Sequence, residues 1–315
     1  MNRVVVTGGA GFIGSGLVRA LLADGAKEVA VVDNLLSGKE ENLTEVRDRV
    51  EFHKSDIRDY DTMRKVFEGT DVVFHLAAIP SVPRSIIEPI PSHDVNINGT
   101  FSVYRAAADA KVGRVVYAAS SSAYGDTLVL PKTESMLPRP KSPYALQKLL
   151  GEYYGSVFHS CFGLEAVALR FFNVFGPRQD PSSAYSGVLS LFMKCLIERS
   201  TPLIHGDGEQ SRDFTYVDDV AGLLIKAAKA EGVAGNVYNA GNGNRYTLNF
   251  IWEELQKIEG ISIPAKYGPP REGDVRDSQA DTALAVKELG HSPKFPIDKA
   301  LRLTLDWYKL SLQNA

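Results

Sequence analysis

The sequence predicts a doubly wound α/β fold, a parallel sheet covered by helices on both faces, with a second, smaller α/β region beside it. Three observations predict it. Short β-branched runs alternate with longer helical stretches through residues 3–171. Those runs are continuously apolar, as strands buried on both faces are. A glycine-rich turn, "TGGAGFIG" (7–14), joins the first strand to the first helix.

The elements follow in order. "RVVVTG" (3–8) reads as a strand, Phe12–Ala23 as a helix, "EVAVVDN" (28–34) and "VEFHKSD" (50–56) as strands. A helix is expected near Tyr60–Phe67, then the strand "DVVFHLAA" (71–78) and a long helix over Pro91–Ala110. "RVVYAASSS" (114–122) is the next strand, Pro143–Phe158 a helix, and "EAVALRFFNVFG" (165–176) a strand running into a loop. After Asn173 the rhythm breaks at "GPRQDPSSAYSG", which is rich in turn formers. The expected division is 1–173 with 214–244 for the sheet domain, and 174–213 with 245–315 for the smaller one. The stretch 214–241 is expected to return to the main sheet.

Composition narrows the function. The 315 residues are 44% apolar and 23% charged, ordinary for a globular protein. A formal net charge of -3 gives no broad positive field, which argues against nucleic acid as partner. Cys161 and Cys195 form no Cys-x-x-Cys pair, so neither a disulfide framework nor a zinc site is expected. No signal-like pattern opens the chain and no apolar run nears the length of a membrane span, so a cytoplasmic protein is expected.

A phosphate approaching a helix N-terminus needs backbone N–H groups with no side chain in the way. Gly8, Gly11 and Gly14 supply the tight turn, the close approach and the helix-to-sheet contact of a dinucleotide site. Glycines also mark plain turns, but a strand before and a helix after favour a Rossmann site. Asp33 ends the second strand, 19 residues beyond Gly14, where a carboxylate accepts ribose hydroxyls and repels a 2′-phosphate. The expected cofactor is therefore NAD. Asp56 and Ile57 are placed at the adenine and Leu76, Ala77 and Ala78 along the cofactor wall. Phe12, Ile13, Asn34, Gly38, Asn96 and Phe172 complete the expected cofactor contacts.

In "SPYALQK" (142–148), Ser142 suits an N-cap and Pro143 a first turn. Tyr144 and Lys148 then share one face of the helix. A free phenol, with a pKa of about 10, is a poor base near neutrality. An adjacent ammonium and a positive nicotinamide lower it. "SSSAYG" (120–125) lies at the C-terminal end of a strand, where open parallel sheets bind ligands. A hydroxyl there can share a proton between a substrate oxygen and the tyrosine; the bland alternative is a junction satisfying its own backbone.

With these motifs the chain resembles the extended short-chain dehydrogenase/reductase family, and within it the UDP-sugar 4-epimerases. The likeness covers nearly the full length, through "TGGAGFIG", "VVDNLLSG", "HLAA", "NINGT", "SSSAYG", "SPYALQK", "RFFNVFGPRQ", "GDGEQSRDF" and "REGDVR". It implies Tyr144 as base, Lys148 on the nicotinamide ribose, and Ser120 or Ser122 on the sugar 4-hydroxyl, with Ser120 favoured and Ser121 facing the sugar. It assigns Asn173 to the pyrophosphate or sugar and Arg212 and Arg271 to the diphosphate. Ser81, Gln179, Gly187, Val188 and Ser278 are expected to line the substrate pocket. The implied reaction oxidises C4, turns the 4-keto sugar over and reduces its other face. Ser121-Ser122 replaces the Asp-Glu pair of the family's dehydratases, which argues against water elimination. Ser278 is small, and "PRQDPSSAY" resembles UDP-N-acetylglucosamine 4-epimerases, so N-acetyl sugars are expected to be accepted; Pro80 could narrow the pocket. Two alternatives stand beside this. One is a UDP-glucuronate decarboxylase reading a carboxylate with Arg84 or Arg271. The other is a non-catalytic NAD-sensing protein. The helices near 91–110 and 143–160 resemble those that pair two subunits as a four-helix bundle. No metal is expected.

Overall fold

The computed structural model describes residues 1–180, 187–270 and 275–313. Its main sheet is built from β1 (Arg3–Thr7), β2 (Glu28–Val32), β3 (Glu51–His53), β4 (Val72–His75), β5 (Arg114–Ser120), β6 (Glu165–Phe171) and β7 (Val237–Ala240). All seven are parallel, in the spatial order β7-β6-β5-β4-β1-β2-β3. The winding reverses between β1, where Thr7 pairs with His75, and β4, which opens a crevice at the strands' C-terminal ends.

The helices are α1 (Phe12–Ala23), α2 (Tyr60–Val66), α3 (Val82–Ile87), α4 (Pro89–His93), α5 (Thr100–Asp109), α6 (Pro143–Phe162), α7 (Val188–Ile197), α8 (Val217–Lys229), α9 (Leu248–Glu259), α10 (Ala283–Leu289) and α11 (Ile297–Gln313). Alternate residues of each strand enter opposite cores, the period of two that a sheet imposes. Val4 and Val6 pack with Leu17, Leu21 and Leu224 on one face. Val5 packs with Val73, Val103 and Phe158 on the other. A third core lies beyond the sheet, where Phe192, Trp252, Leu301 and Leu305 join α7, α9 and α11.

Three local differences from expectation have physical causes. Strand β2 stops at Val32 because Asp33 and Asn34 accept the N–H groups of Leu35 and Leu36 and turn the chain. The expected single helix before β5 is a run from Pro89 to Asp109 with a π-helical segment at Asp94–Gly99. Within that segment the Asn96 amide bonds Ile79 O and Gln147 rather than its own helix. Helix α6 extends to Phe162, where Gly163 takes the left-handed conformation that ends it.

Candidate active site

The glycine turn admits no other side chain at two positions. Gly8 has φ +72°, and a Cβ there would lie 2.7 Å from the Ala77 nitrogen. At Gly14 a Cβ would lie 2.1 Å from the Gly8 carbonyl oxygen. Strand end, turn and helix therefore close on one another. Helix α1 begins at Gly11 without a side-chain cap, so its first N–H groups face the crevice. Gly11, Phe12, Ile13, Leu76, Ala77 and Ala78 keep partial exposure at this edge.

Asp33 is buried, accepting from Ala10 N at 3.0 Å and Leu35 N at 2.9 Å. Burial pushes its carboxyl above the ordinary value and the two N–H groups pull it back. A Cβ on Gly38 would sit 2.8 Å from its Oδ2, so a glycine there keeps open the space beside the carboxylate. Asn34 donates to Asp56 at 2.8 Å, and Arg58 holds the Asp56 carboxyl well below its usual range. An uncapped helix end, a bare glycine turn and a strand-end carboxylate fit a dinucleotide.

Two of the expected cofactor residues have buried side chains. Phe172 is fully enclosed with Tyr124 and Ala280, so its ring supports the site from inside and offers it no surface. Asn96 is also buried, and its amide is committed to Ile79 N, Ile79 O and Gln147 Oε1. It positions the backbone rather than presenting a free group. Ile57 likewise sits in the core.

Ser142 caps α6 by accepting Ala145 N, and Ser85 on α3 accepts Tyr144 N at 3.1 Å. These bonds fix the start of the helix that carries Tyr144 and Lys148. At the end of β5, Ser120 Oγ accepts from Ser122 N at 3.2 Å and from Ser122 Oγ at 2.8 Å. A hydroxyl has two acceptor positions and one proton, so the Ser120 proton remains to be donated, and Ser120 holds the Tyr144 phenol lower than burial alone would. Ser121 stands beside them, partly exposed.

The electrostatics differ from expectation. Burial pushes the Tyr144 phenol up to about 12, opposed by the Ser120 hydrogen bond. Burial also pushes Lys148 down to about 8. Lys148 Nζ donates to Ala118 O at 2.9 Å and lies 5.1 Å from the Tyr117 ring centroid. Of the groups acting on the Tyr144 phenol, Ser120 is the one that lowers its pKa.

The expected substrate side is partly assembled. Asn173 adopts φ +31° between β6 and the short strand Val174–Phe175, and donates to Asp213 O at 3.2 Å. Ser278 is buried and donates its N–H to Ser211 O, next to Arg212, whose guanidinium donates to Arg276 O at 2.8 Å. A Cβ on Gly187, the residue before Val188, would lie 3.4 Å from Gln179 Nε2. Ser81 uses its hydroxyl to cap α3 through Arg84 N. Arg84 itself pairs with Glu88 one turn on, as a surface ion pair does. Arg271 lies outside the described residues.

A family model described as the NAD dependent epimerase/dehydratase family matches residues 4–241. The chain belongs to that family. Among its relatives, UDP-glucose 4-epimerase of Mycolicibacterium smegmatis is 37% identical, with 98% of each chain covered. The structure of UDP-N-acetylglucosamine 4-epimerase from Methanobrevibacter ruminantium M1, in complex with UDP-N-acetylmuramic acid, aligns with a TM-score of 0.94 at 38% identity, covering 98% of this chain and 99% of that one. UDP-glucose 4-epimerase of Thermotoga maritima, with UDP-glucose, gives 0.93 at 37% identity and the same coverage. As a member of this family the chain is an enzyme, and NAD is its cofactor. Among the described residues no helix is long and apolar enough to cross a membrane, and no cluster of His, Cys, Asp or Glu could hold a metal.

Two contributors were not anticipated in this epimerase/dehydratase. His75 bridges Thr7 Oγ1 at 2.8 Å and Thr100 Oγ1 at 3.0 Å, and burial pushes it down to about 3, so it stays neutral. Gln147 accepts from both Asn96 and Ser92, tying α6 to the π-helical segment. Their signal in the sequence is a polar residue inside an apolar run or one position before the lysine.

Proposed function

We propose that the protein is an NAD-dependent UDP-hexose 4-epimerase that accepts UDP-N-acetylglucosamine and UDP-N-acetylgalactosamine as well as the plain hexoses. The observation that carries this reading is the Ser122–Ser120 hydrogen bond at the C-terminal end of β5, with Ser120 acting on the Tyr144 phenol. It gathers the proton-bearing groups at the strand ends where the glycine turn opens. Bound NAD supplies the hydride acceptor for sugar C4 and a positive ring near the phenol. Tyr144 takes the C4 hydroxyl proton beside Ser120, whose own hydroxyl donates to the phenolate, and returns it after the 4-keto sugar has turned over. Lys148 holds the nicotinamide ribose, and Asp33 the adenosine ribose. Arg212, Arg271 and Asn173 grip the diphosphate; two guanidiniums suit that anion on a chain of net negative charge.

The smaller domain, residues 174–213 and 245–315, forms the UDP-sugar side of the cleft in this reading. A buried serine at 278 leaves room beside the sugar, and the likeness to the N-acetylglucosamine epimerase supports the wider substrate range. The enzyme works in the cytoplasm as a homodimer. Support for the dimer comes from Ile87, Ile90, Phe101, Tyr153, Val157 and Phe162, large apolar residues exposed on the helices of 82–109 and on α6.

The test is to incubate purified protein with UDP-glucose, UDP-galactose and their two N-acetyl counterparts and to separate the products. Interconversion within both pairs is expected. Conversion of the plain pair alone overturns the substrate range, and no conversion with NAD bound overturns the activity.

A further inference from the structure

Behind the serine turn lies a polar cluster that the reaction does not use directly. Tyr124, Lys132, Glu152, Arg170 and Asn239 are all buried, each at most 5% exposed. Glu152, one helical turn beyond Lys148 on α6, accepts Arg170 Nε at 2.9 Å and Nη2 at 2.7 Å. The Arg170 guanidinium carbon then lies 4.5 Å from the centroid of the Tyr124 ring. Its Nη1 is buried with no conventional hydrogen-bond partner among the described residues, and Tyr124 acts on the guanidinium electrostatically.

A second cation meets the same ring. Lys132 Nζ is 5.9 Å from the Tyr124 centroid and donates to Gly125 O at 3.2 Å. Asp126 acts on it with the opposite sign, without a direct ion pair. The Tyr124 hydroxyl donates to Asn239 Oδ1 at 2.6 Å, and Asn239 Nδ2 donates to Lys132 O and Asp281 O. Lys132 also pairs its backbone with Gln279 and Asp281, which flank Ala280 and follow Ser278.

Buried charges of this kind are costly, and an apolar core of equal volume is often the more stable choice. What the cluster provides is a common reference. Tyr124 closes the single 3₁₀ turn Ser121–Tyr124 that starts at the capping Ser120. Through Arg170 and Glu152 the same ring is fixed to the helix of Tyr144; through Lys132 and Asn239 it is fixed to the segment carrying Ser278. We propose that Tyr124, gripped by Arg170 and Lys132, is a positioning residue that holds the Ser120–Ser122 turn against the Tyr144 hydroxyl. The kinetic half of its test rests on the epimerase reading; the crystallographic half does not.

The variants are Tyr124→Leu, Lys132→Met and the conservative Tyr124→Phe, each as holoenzyme. In the first two, kcat should fall about 10–100-fold, the cost of a small misplacement of reacting groups, with KM within about threefold of wild type. The pH midpoint of kcat should move to the alkaline side, because a displaced Ser120 no longer stabilises the phenolate. Tyr124→Phe keeps the ring and should retain kcat within about threefold. Crystal structures should show the Ser122–Ser120 hydroxyl contact broken in the first two and kept in the third. Lys132→Met replaces a buried charge with an apolar side chain of similar length and should keep its thermal midpoint, so it decides the matter if Tyr124→Leu does not fold. Wild-type kcat with an unmoved pH midpoint in Lys132→Met, or a loss confined to KM, overturns the proposal. If wild type turns over no UDP-sugar, the epimerase reading falls, while an intact serine contact in the Lys132→Met crystal structure still overturns this one.

Discussion

Ser122 donates its hydroxyl to Ser120 Oγ across 2.8 Å, and this bond leaves Ser120 free to donate its own proton. With its acceptor positions filled, Ser120 has only a proton to offer the phenol oxygen. Ser120→Ala should lower kcat by about 10²–10³-fold, within the range for a proton-transfer partner, and shift the pH midpoint of kcat upward. Ser122→Ala should cost about tenfold, since the Ser122 N–H still orients Ser120. Equal losses in the two variants, read from kcat profiles, would contradict this ordering.

Tyr144→Phe removes the proposed base. Turnover should drop about 10²–10⁴-fold with UDP-sugar affinity retained, measured by single-turnover assay and calorimetric titration. Near-normal turnover removes Tyr144 from its role.

Asp33 should make the protein discriminate between dinucleotides. NAD should bind at least about tenfold more tightly than NADP, the scale of one charge-assisted hydrogen bond. Competitive titration of the two cofactors reads this ratio, and parity removes the ribose role.

Asp213 ties three backbone N–H groups together, those of Asn242, Gly243 and Ala280, at 2.8–3.0 Å. Asp213→Ala leaves them buried without that acceptor and should cost about 3 kcal/mol in urea unfolding. Burial raises its carboxyl from 3.8 to about 6 in the folded protein. Its stabilising contribution is therefore full below about pH 4 and is lost as pH rises through 6. The variant should lack that decline; an unchanged decline assigns it to other groups.

Tyr153→Glu with Val157→Glu puts two charges on the exposed apolar face of α6. Sedimentation should show wild-type dimers become monomers, and a monomeric wild type ends the dimer proposal.

The sheet, the glycine turn and the Ser142 cap were legible in the sequence because each depends on neighbours along the chain. Apolar runs, a glycine triplet and a Ser-Pro pair carry their own geometry. The cluster around Tyr124 was not legible, since Arg170 and Lys132 lie 38 positions apart and meet only through the ring. The Tyr144–Lys148 spacing was read correctly as one helical face, but the direction of the ammonium was not. Side-chain torsions turn Lys148 to the Ala118 carbonyl, and spacing alone does not encode them. The π-helical segment escaped for a similar reason, because Gln147, far along the chain, supplies the competing partner for Asn96.

The two N–H groups that Asp33 holds belong to the phosphate turn and to the loop after β2, and Gly38 presses against the same carboxylate. In the proposed reading, cofactor choice and loop architecture are thus written in one side chain. A lineage could not drift toward a 2′-phosphorylated dinucleotide by exchanging that acid alone. The turn would first need new anchors, so adopting the other cofactor demands several coordinated changes rather than one.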